Sequence, residues 1–390
     1  MDPIFNLFKI KFIILDKIIT ENCKDITPNS KVNVFINLED IIKKLAMSNI
    51  EDYLKLKNNE RNFELISNIL NLASHYRLFF SKNKLYSKIF IYINYPFNVI
   101  YKNRLINLDY RTYYENKYSK NPNHFVLHEV ISNSLPLAKI IVEYIEGVYL
   151  IFSDYIENSL TPYIINKNIK SDSINFILSG DIYDYQYVNN NFYLLLAKKD
   201  ESTVLTKDNV FDVLKKKLNV NNTNTIDSRY LPFVISLLGN KKRNIEKIKG
   251  IGLSTIIKMI NKAVNEQIIS SDAFNINILS NIIKPEFRKQ LLDNYYCTDI
   301  ETQYNMLNIK DIYTITSQII DKFDNVTLKK LNDKYFQFHP IQLLELVSGT
   351  KYLNRWLYII YLNIFLIYFK KDFLFFFLLY KNIIIIQEVE

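Results

Sequence analysis

The sequence predicts an α/β fold, a mostly parallel sheet flanked by helices and followed by a helical region. Three observations carry this. Short β-branched runs recur through the first half of the chain, separated by stretches with helical spacing. From about residue 208 the apolar periodicity is nearly all helical. Only six glycines occur in 390 residues, and four of them (Gly180, Gly239, Gly250 and Gly252) fall in two short segments. In a chain so poor in glycine, each one marks a backbone need such as positive φ or the close approach of a ligand.

A lead-in over residues 1–30 ends near Thr27-Pro28-Asn29, and the first strand is Val32–Ile36. Helical spacing follows over about residues 38–48 and again over 61–78. Ile89–Asn94 is the second strand, stopped by Tyr95-Pro96. Residues 98–128 mix basic and aromatic side chains without a period. Glu129–Glu146 reads as a helix that Gly147 ends. Val148–Phe152, Ile174–Ser179 and Asn191–Leu196 are the third to fifth strands, with a helix between the third and fourth. Their continuous apolar runs suit strands buried on both faces. The units expected are the lead-in 1–30, an α/β domain 31–207, a helical region 208–350 and an apolar tail 351–390. In the tail, Trp356–Phe369 and Phe373–Ile386 are 14 residues each. Both are shorter than the roughly 20 residues a membrane span needs. A buried helix, strands or a loose tail is therefore expected there, with membrane contact as the lesser alternative.

A hydrophobic content of 48% excludes a disordered chain. The net charge of +9 favours polyanionic partners, nucleic acid before an anionic membrane surface. Cys23 and Cys297 form neither a metal spacing nor a disulfide framework. With His75, His124, His128 and His339 as the whole histidine complement, a zinc site is not expected. The N-terminus has acids within it and no small-residue cleavage site. The expected location is cytoplasmic or nucleoid-associated, the host cytoplasm for a virus or phage, and not secreted.

Gly250-Ile251-Gly252 precedes a helical pattern with Leu253, Ile256, Ile257 and Ile260 on one face, and Asn244–Lys249 before it also reads as helical. A tight glycine turn opening a helix exposes backbone N–H groups that suit a phosphate oxygen. Ser254 and Thr255 add hydroxyl donors. Lys241, Lys242, Arg243, Lys247 and Lys249 surround the turn, against the single acid Glu246. Such charge gives affinity without reading bases. Alone, the turn could equally be a structural helix–helix connection. About 70 residues upstream, the strand Ile174–Ser179 runs into Gly180-Asp181, followed by Tyr185-Gln186-Tyr187-Val188. That places a carboxylate at the C-terminal edge of a parallel sheet, where α/β proteins keep their sites. A helix N-cap is the plainer role for Asp181.

These segments resemble the 5′→3′ exonuclease and flap-endonuclease family. The family carries a strand ending S/T-G-D-x-D-x-x-Q-L-V, where this chain has SGDIYDYQYV. It continues with a further strand and an I-T-x-E-N element, matched here by NFYLLL and Leu205-Thr206-Lys207-Asp208-Asn209-Val210. A helix ending G-D-x-S-D-N-I-P-G-V-P-G-I-G-x-K-T-A follows, against LPFVISLL and GNKKRNIEKIKGIGLSTI here. Order and spacing match over about Asn175–Ala263, and more loosely back to about residue 30. There VNVFINLED and IFIYINYP resemble the strands ending I-D-G and F-D-G, and Arg111–Asn121 resembles the basic segment of the arch region. The resemblance implies a PIN-like sheet, a helix–hairpin–helix region that binds DNA, and Mg²⁺-dependent cleavage.

The acids this activity needs are mostly missing. The first two strand acids align with Asn37 and Asn94, and the E-A-D-D element with Glu157-Asn158-Ser159-Leu160. The D-x-D pair becomes Asp181 and Tyr183, and the acids of G-D-x-S-D become Asn240 and Arg243. Only Glu157 and Asp181 keep a carboxylate, with Asp184, Glu39 and Asp40 as displaced candidates. Asn brings a donor oxygen without charge, and Mg²⁺ wants charged oxygen ligands. The expectation is a DNA-binding protein of branched or junction DNA in replication or repair, catalytically impaired, leaning away from an enzyme. Asp181 and Glu157 are its residual acids, with Asp184 a further metal candidate. Gly250, Gly252, Ser254, Thr255, Lys241, Lys242, Arg243, Lys249 and Arg111 are expected to hold DNA. Mg²⁺ is expected only if the protein cuts, and replication or repair proteins are conceivable partners. The alternatives are an active Mg²⁺-dependent 5′ nuclease with displaced carboxylates, and a scaffold on the same fold that binds no DNA.

Overall fold

The computed structural model describes residues 30–38, 69, 76, 86–93, 134–136, 138, 139, 142, 147–153, 156–169, 173–189, 191–197, 202–221, 226–240, 245–266 and 275–320. The expectations for residues 1–29, Glu39, Asp40, Asn94, the arch segment with Arg111, the cluster Lys241-Lys242-Arg243 and the tail 351–390 fall outside them.

A six-stranded sheet organises the described residues, in the order β3-β2-β1-β4-β5-β6. The strands are β1 (Lys31–Asn37), β2 (Tyr86–Ile93), β3 (Val148–Phe152), β4 (Ile174–Leu178), β5 (Phe192–Ala197) and β6 (Ser202–Leu205). The first five pair in parallel, and β6 joins β5 antiparallel. The α/β architecture with a mostly parallel sheet and a helical C-terminal region is thus present. Strand β6 is an addition to the strands read from the sequence. Its residues are few, and Asn209 closes the turn after it by accepting from Thr206 N (2.8 Å) and donating to Val204 O (2.9 Å).

Alternation along β1 puts Asn33, Phe35 and Asn37 on one face. On that face Phe35 stacks on Phe90 and Phe90 on Tyr149, with ring centroids 5.1 Å apart in each pair. Phe192 of β5 lies 6.4 Å from Phe35. Full burial of each ring contributes about 1.5–3 kcal/mol. At the strand starts the same face carries buried amides. Asn33 Nδ2 donates to Asn175 Oδ1 (3.0 Å), and Asn175 Nδ2 donates to Asn166 Oδ1 (3.2 Å). Buried amides need such partners, because an unmade hydrogen bond there costs about 1–3 kcal/mol.

Among the described residues, the helices from Thr161 onward are α1 (Thr161–Asn168), α2 (Val210–Lys217), α3 (Leu231–Leu238), α4 (Leu253–Asn265), α5 (Ile276–Ser280), α6 (Pro285–Thr298), α7 (Ile300–Asn305) and α8 (Ile309–Ile320). One hydrophobic cluster joins them to the aromatic face of the sheet, through Ile164, Leu214, Phe233, Ile256, Leu279, Leu291, Ile300 and Ile315. Helix α8 also closes the β3 edge. Phe152 N donates to Gln318 Oε1 (3.0 Å), and Gln318 Nε2 donates to Phe152 O (2.8 Å). One side-chain amide thus stands in for a neighbouring strand.

The stretch before the glycine turn is not the helix its periodicity suggested. Helix α3 stops at Gly239, whose φ is +68°. Asn240 and Ile245 then form an antiparallel bridge, and residues 246–248 follow without helix. The physical reason is burial. Ile245 and Ile248 are both in the core, and Ile248 N donates to Leu237 O (3.1 Å). Asn294 of α6 holds the segment by donating to both Ser236 O (2.9 Å) and Glu246 O (2.8 Å).

A candidate nucleic-acid interface at the sheet edge

Strands β1 and β4 are neighbours, and the chain runs outward from them in opposite directions across the sheet. In open parallel sheets, ligands bind at the carboxyl ends of strands at this switch in order. The residues at those ends here are Asn37, which closes β1, and Ser179-Gly180-Asp181, which follow β4.

Asn37 meets the segment after β3. Asn158 Nδ2 donates to Asn37 Oδ1 (3.3 Å), and Ser153 Oγ donates to Asn158 Oδ1 (3.1 Å). Ser153 also ties back to β2, its backbone N–H donating to Ile93 O (3.0 Å). Three positions on three strand ends are thereby linked by neutral groups, all buried. Glu157 is half-buried at the start of the 3-10 turn Asn158–Leu160.

Asp181 caps the 3-10 helix Ile182–Tyr187 by accepting from Tyr183 N (3.1 Å), as its plainer reading held. Its Oδ1 also accepts from Asn240 Nδ2 (3.4 Å), 59 residues along the chain. Asp181 and Asn240 are thus in contact. Lys217, the last residue of α2, donates from Nζ to Gly180 O (3.0 Å) and lies 3.5 Å from the Tyr185 hydroxyl. Burial, and then the charge of Asp181, push the Tyr185 phenol up to about 12. It therefore stays neutral through the physiological range.

Two positions turn inward instead. Tyr183 is fully buried, and its hydroxyl accepts from Gln303 Nε2 on α7 (2.8 Å). Asp184 is 1% exposed. It lies on the side of Tyr187, whose phenol is pushed well up by burial, with the charge of Asp184 adding to the effect. The Tyr187 hydroxyl donates to Ser159 O. Among the described residues no three His, Cys, Asp or Glu side chains gather closely enough to hold a metal ion. The described strand-end positions offer the amides of Asn37 and Asn240 and the phenol of Tyr183 beside the carboxylates of Asp181 and Glu157, whereas a divalent pair favours a cluster of charged oxygens.

The fold is similar to that of solved 5′-nucleases. The phage T5 5′-exonuclease with bound zinc aligns at 12% identity and a TM-score of 0.45, over 81% of this chain and 100% of that one. The phage T5 D15 flap endonuclease, in a pseudo-enzyme–product complex with DNA and metal ions, aligns at 12% and 0.46, over 81% and 99%. Human GEN1 with Holliday junction DNA aligns at 12% and 0.35, over 80% and 72%. No protein-family model matches the chain, and no curated protein matches it in sequence.

The glycine turn lies on the same segment as Asn240. Gly250 has φ +75° and is exposed, while Gly252 is extended and caps α4. A Cβ on Gly252 would meet nothing within 4 Å. Among the described residues nothing demands glycine there. Thr255 is exposed and Ser254 half-buried at the start of α4. Lys247, Lys249 and Lys258 are exposed around them. Lys217 and the donor role of Asn240 escaped the sequence reading. Lys217 stands 36 residues past Asp181 and carries no motif; only the fold brings it back.

Proposed function

We propose that this chain binds branched or junction DNA through its phosphates, in replication or repair, and cuts it feebly or not at all. The observation that carries this reading is the pairing of an open glycine turn with a sheet edge where amides replace acids. The turn presents the first N–H groups of α4 and two hydroxyls to a phosphate oxygen, with exposed lysines around it. The edge offers amide donors beside only the two carboxylates of Asp181 and Glu157, fewer charged oxygens than a divalent pair favours. The net charge of +9 draws the polyanion in. Such a protein works wherever DNA is handled, in the cytoplasm or on the nucleoid.

The test is a pair of measurements on 5′-flap DNA. Binding is expected to weaken steeply between about 50 and 200 mM salt. Incubation with Mg²⁺ is expected to leave the flap intact, or nearly so. Robust cleavage that D181A abolishes would replace this reading with an active nuclease. Binding indifferent to salt would replace it with a scaffold.

A further inference from the structure

We infer that the exposed apolar face of α8 is a docking surface for this chain's own segment Trp356–Phe369. The inference is independent of the DNA-binding reading above. Helix α8 carries apolar side chains on two faces. Ile315 and Ile319 are in the core, and Ile312 packs against it. Ile309 and Tyr313 lie one helical turn apart on another face. They are 86% and 64% exposed, more than any other large apolar side chain among the described residues. Met306, just before the helix, is exposed as well. Single exposed apolar side chains are ordinary, but several gathered at one helix end mark an interaction site.

Chemistry and reach select the occupant. Trp356–Phe369 carries no charged side chain and consists almost wholly of aromatic and branched aliphatic residues. It is shorter than the roughly 20 residues a membrane span needs, so burial against protein is what removes its surface from water. Helix α8 is the last described element, and residues 321–355 join it to this segment. The first turn of α8 lies about 16 Å from its end. An unstructured chain the length of 321–355 spans about 30 Å. The tether therefore reaches, and it keeps the segment at a local concentration of about millimolar, above that of any separate partner. The contact is burial of apolar surface, so it is insensitive to salt, unlike binding to a polyanion.

The experiment uses the full chain and its sole tryptophan, Trp356, as the probe. In wild type its emission should be blue-shifted and resist quenching by acrylamide, at low and high salt alike and at every dilution. The variant I309D/Y313D should shift the emission to the red and raise the quenching. V264D/I278D places the same two charges at other exposed apolar positions and should leave both unchanged. A second measurement needs no charge on the face. Bimane attached at K310C in a C23S background sits beside Ile309 and is quenched on contact with tryptophan. Adding W356F should restore its emission. An exposed Trp356 in wild type overturns the inference, and so does I309D/Y313D matching V264D/I278D, or bimane emission indifferent to W356F. Protection of Trp356 that is lost on dilution overturns it in favour of a second copy of the chain. Protection gained only with phosphatidylcholine vesicles overturns it in favour of a membrane.

Discussion

Two glycines of one segment do different work. Gly239 combines φ +68° with a backbone packed against it, since a Cβ would lie 2.5 Å from Lys247 N and 2.7 Å from Ile245 O. G239A should cost about 2–4 kcal/mol, read by chemical denaturation. At Gly252 φ is −112° and a Cβ meets none of the described residues, so G252A should change stability by no more than about 1 kcal/mol. The same G252A should weaken flap-DNA binding, because the missing side chain leaves room for a phosphate. Equal affinity would show that the glycine serves only the turn. Tyr185 gives a prediction in pH. Its folded value is raised to about 12 while an unfolded tyrosine ionises near 10. The folded state then holds its proton longer, so this stabilisation is complete below about pH 10 and is lost as pH rises through about 12. Denaturation at pH 9 and pH 11 should show the fall, and Y185F should reduce it.

At the scale of elements, the parallel strands were legible because each is a short unbroken apolar run, and Val148–Phe152 coincides with its sequence reading from end to end. Strand β6 was harder to see, because its antiparallel partner β5 decides it and Ser202–Leu205 alone carries four residues of weak signal. The helical reading of Asn244–Lys249 failed because burial of Ile245 and Ile248 overrides a local pattern. At the site, the sequence located Asn37, Asp181 and Asn240 as positions. It could not supply the bonds between them, since Asn158 to Asn37 and Asn240 to Asp181 span 121 and 59 residues. Gln318 is another long-range element, invisible in sequence, whose amide completes the edge of β3. Q318A removes both hydrogen bonds to Phe152, together with those to Lys139 and Thr314, and should cost at least about 1–3 kcal/mol. Denaturant unfolding checks this; unchanged stability would mean that water replaces the amide at no loss.

Across the whole molecule, sheet and helices share one hydrophobic cluster, so the strand edge and the glycine turn belong to a single packed body. Asn294 reinforces this by holding the end of α3 and the segment before the turn with the same side chain. The excess of nine positive charges acts at this scale too, setting encounter and salt dependence rather than the choice of site. Tyr183 shows how deeply the edge is built into the body. Its ring is buried and its hydroxyl takes a hydrogen from Gln303. An aspartate at that position would be too short to reach Gln303, would leave a void where the ring was, and would set a charge in the core at a cost of several kcal/mol. An acid at 183 is therefore opposed by packing: it would need a change in α7 that fills the void and supplies the charge with a partner.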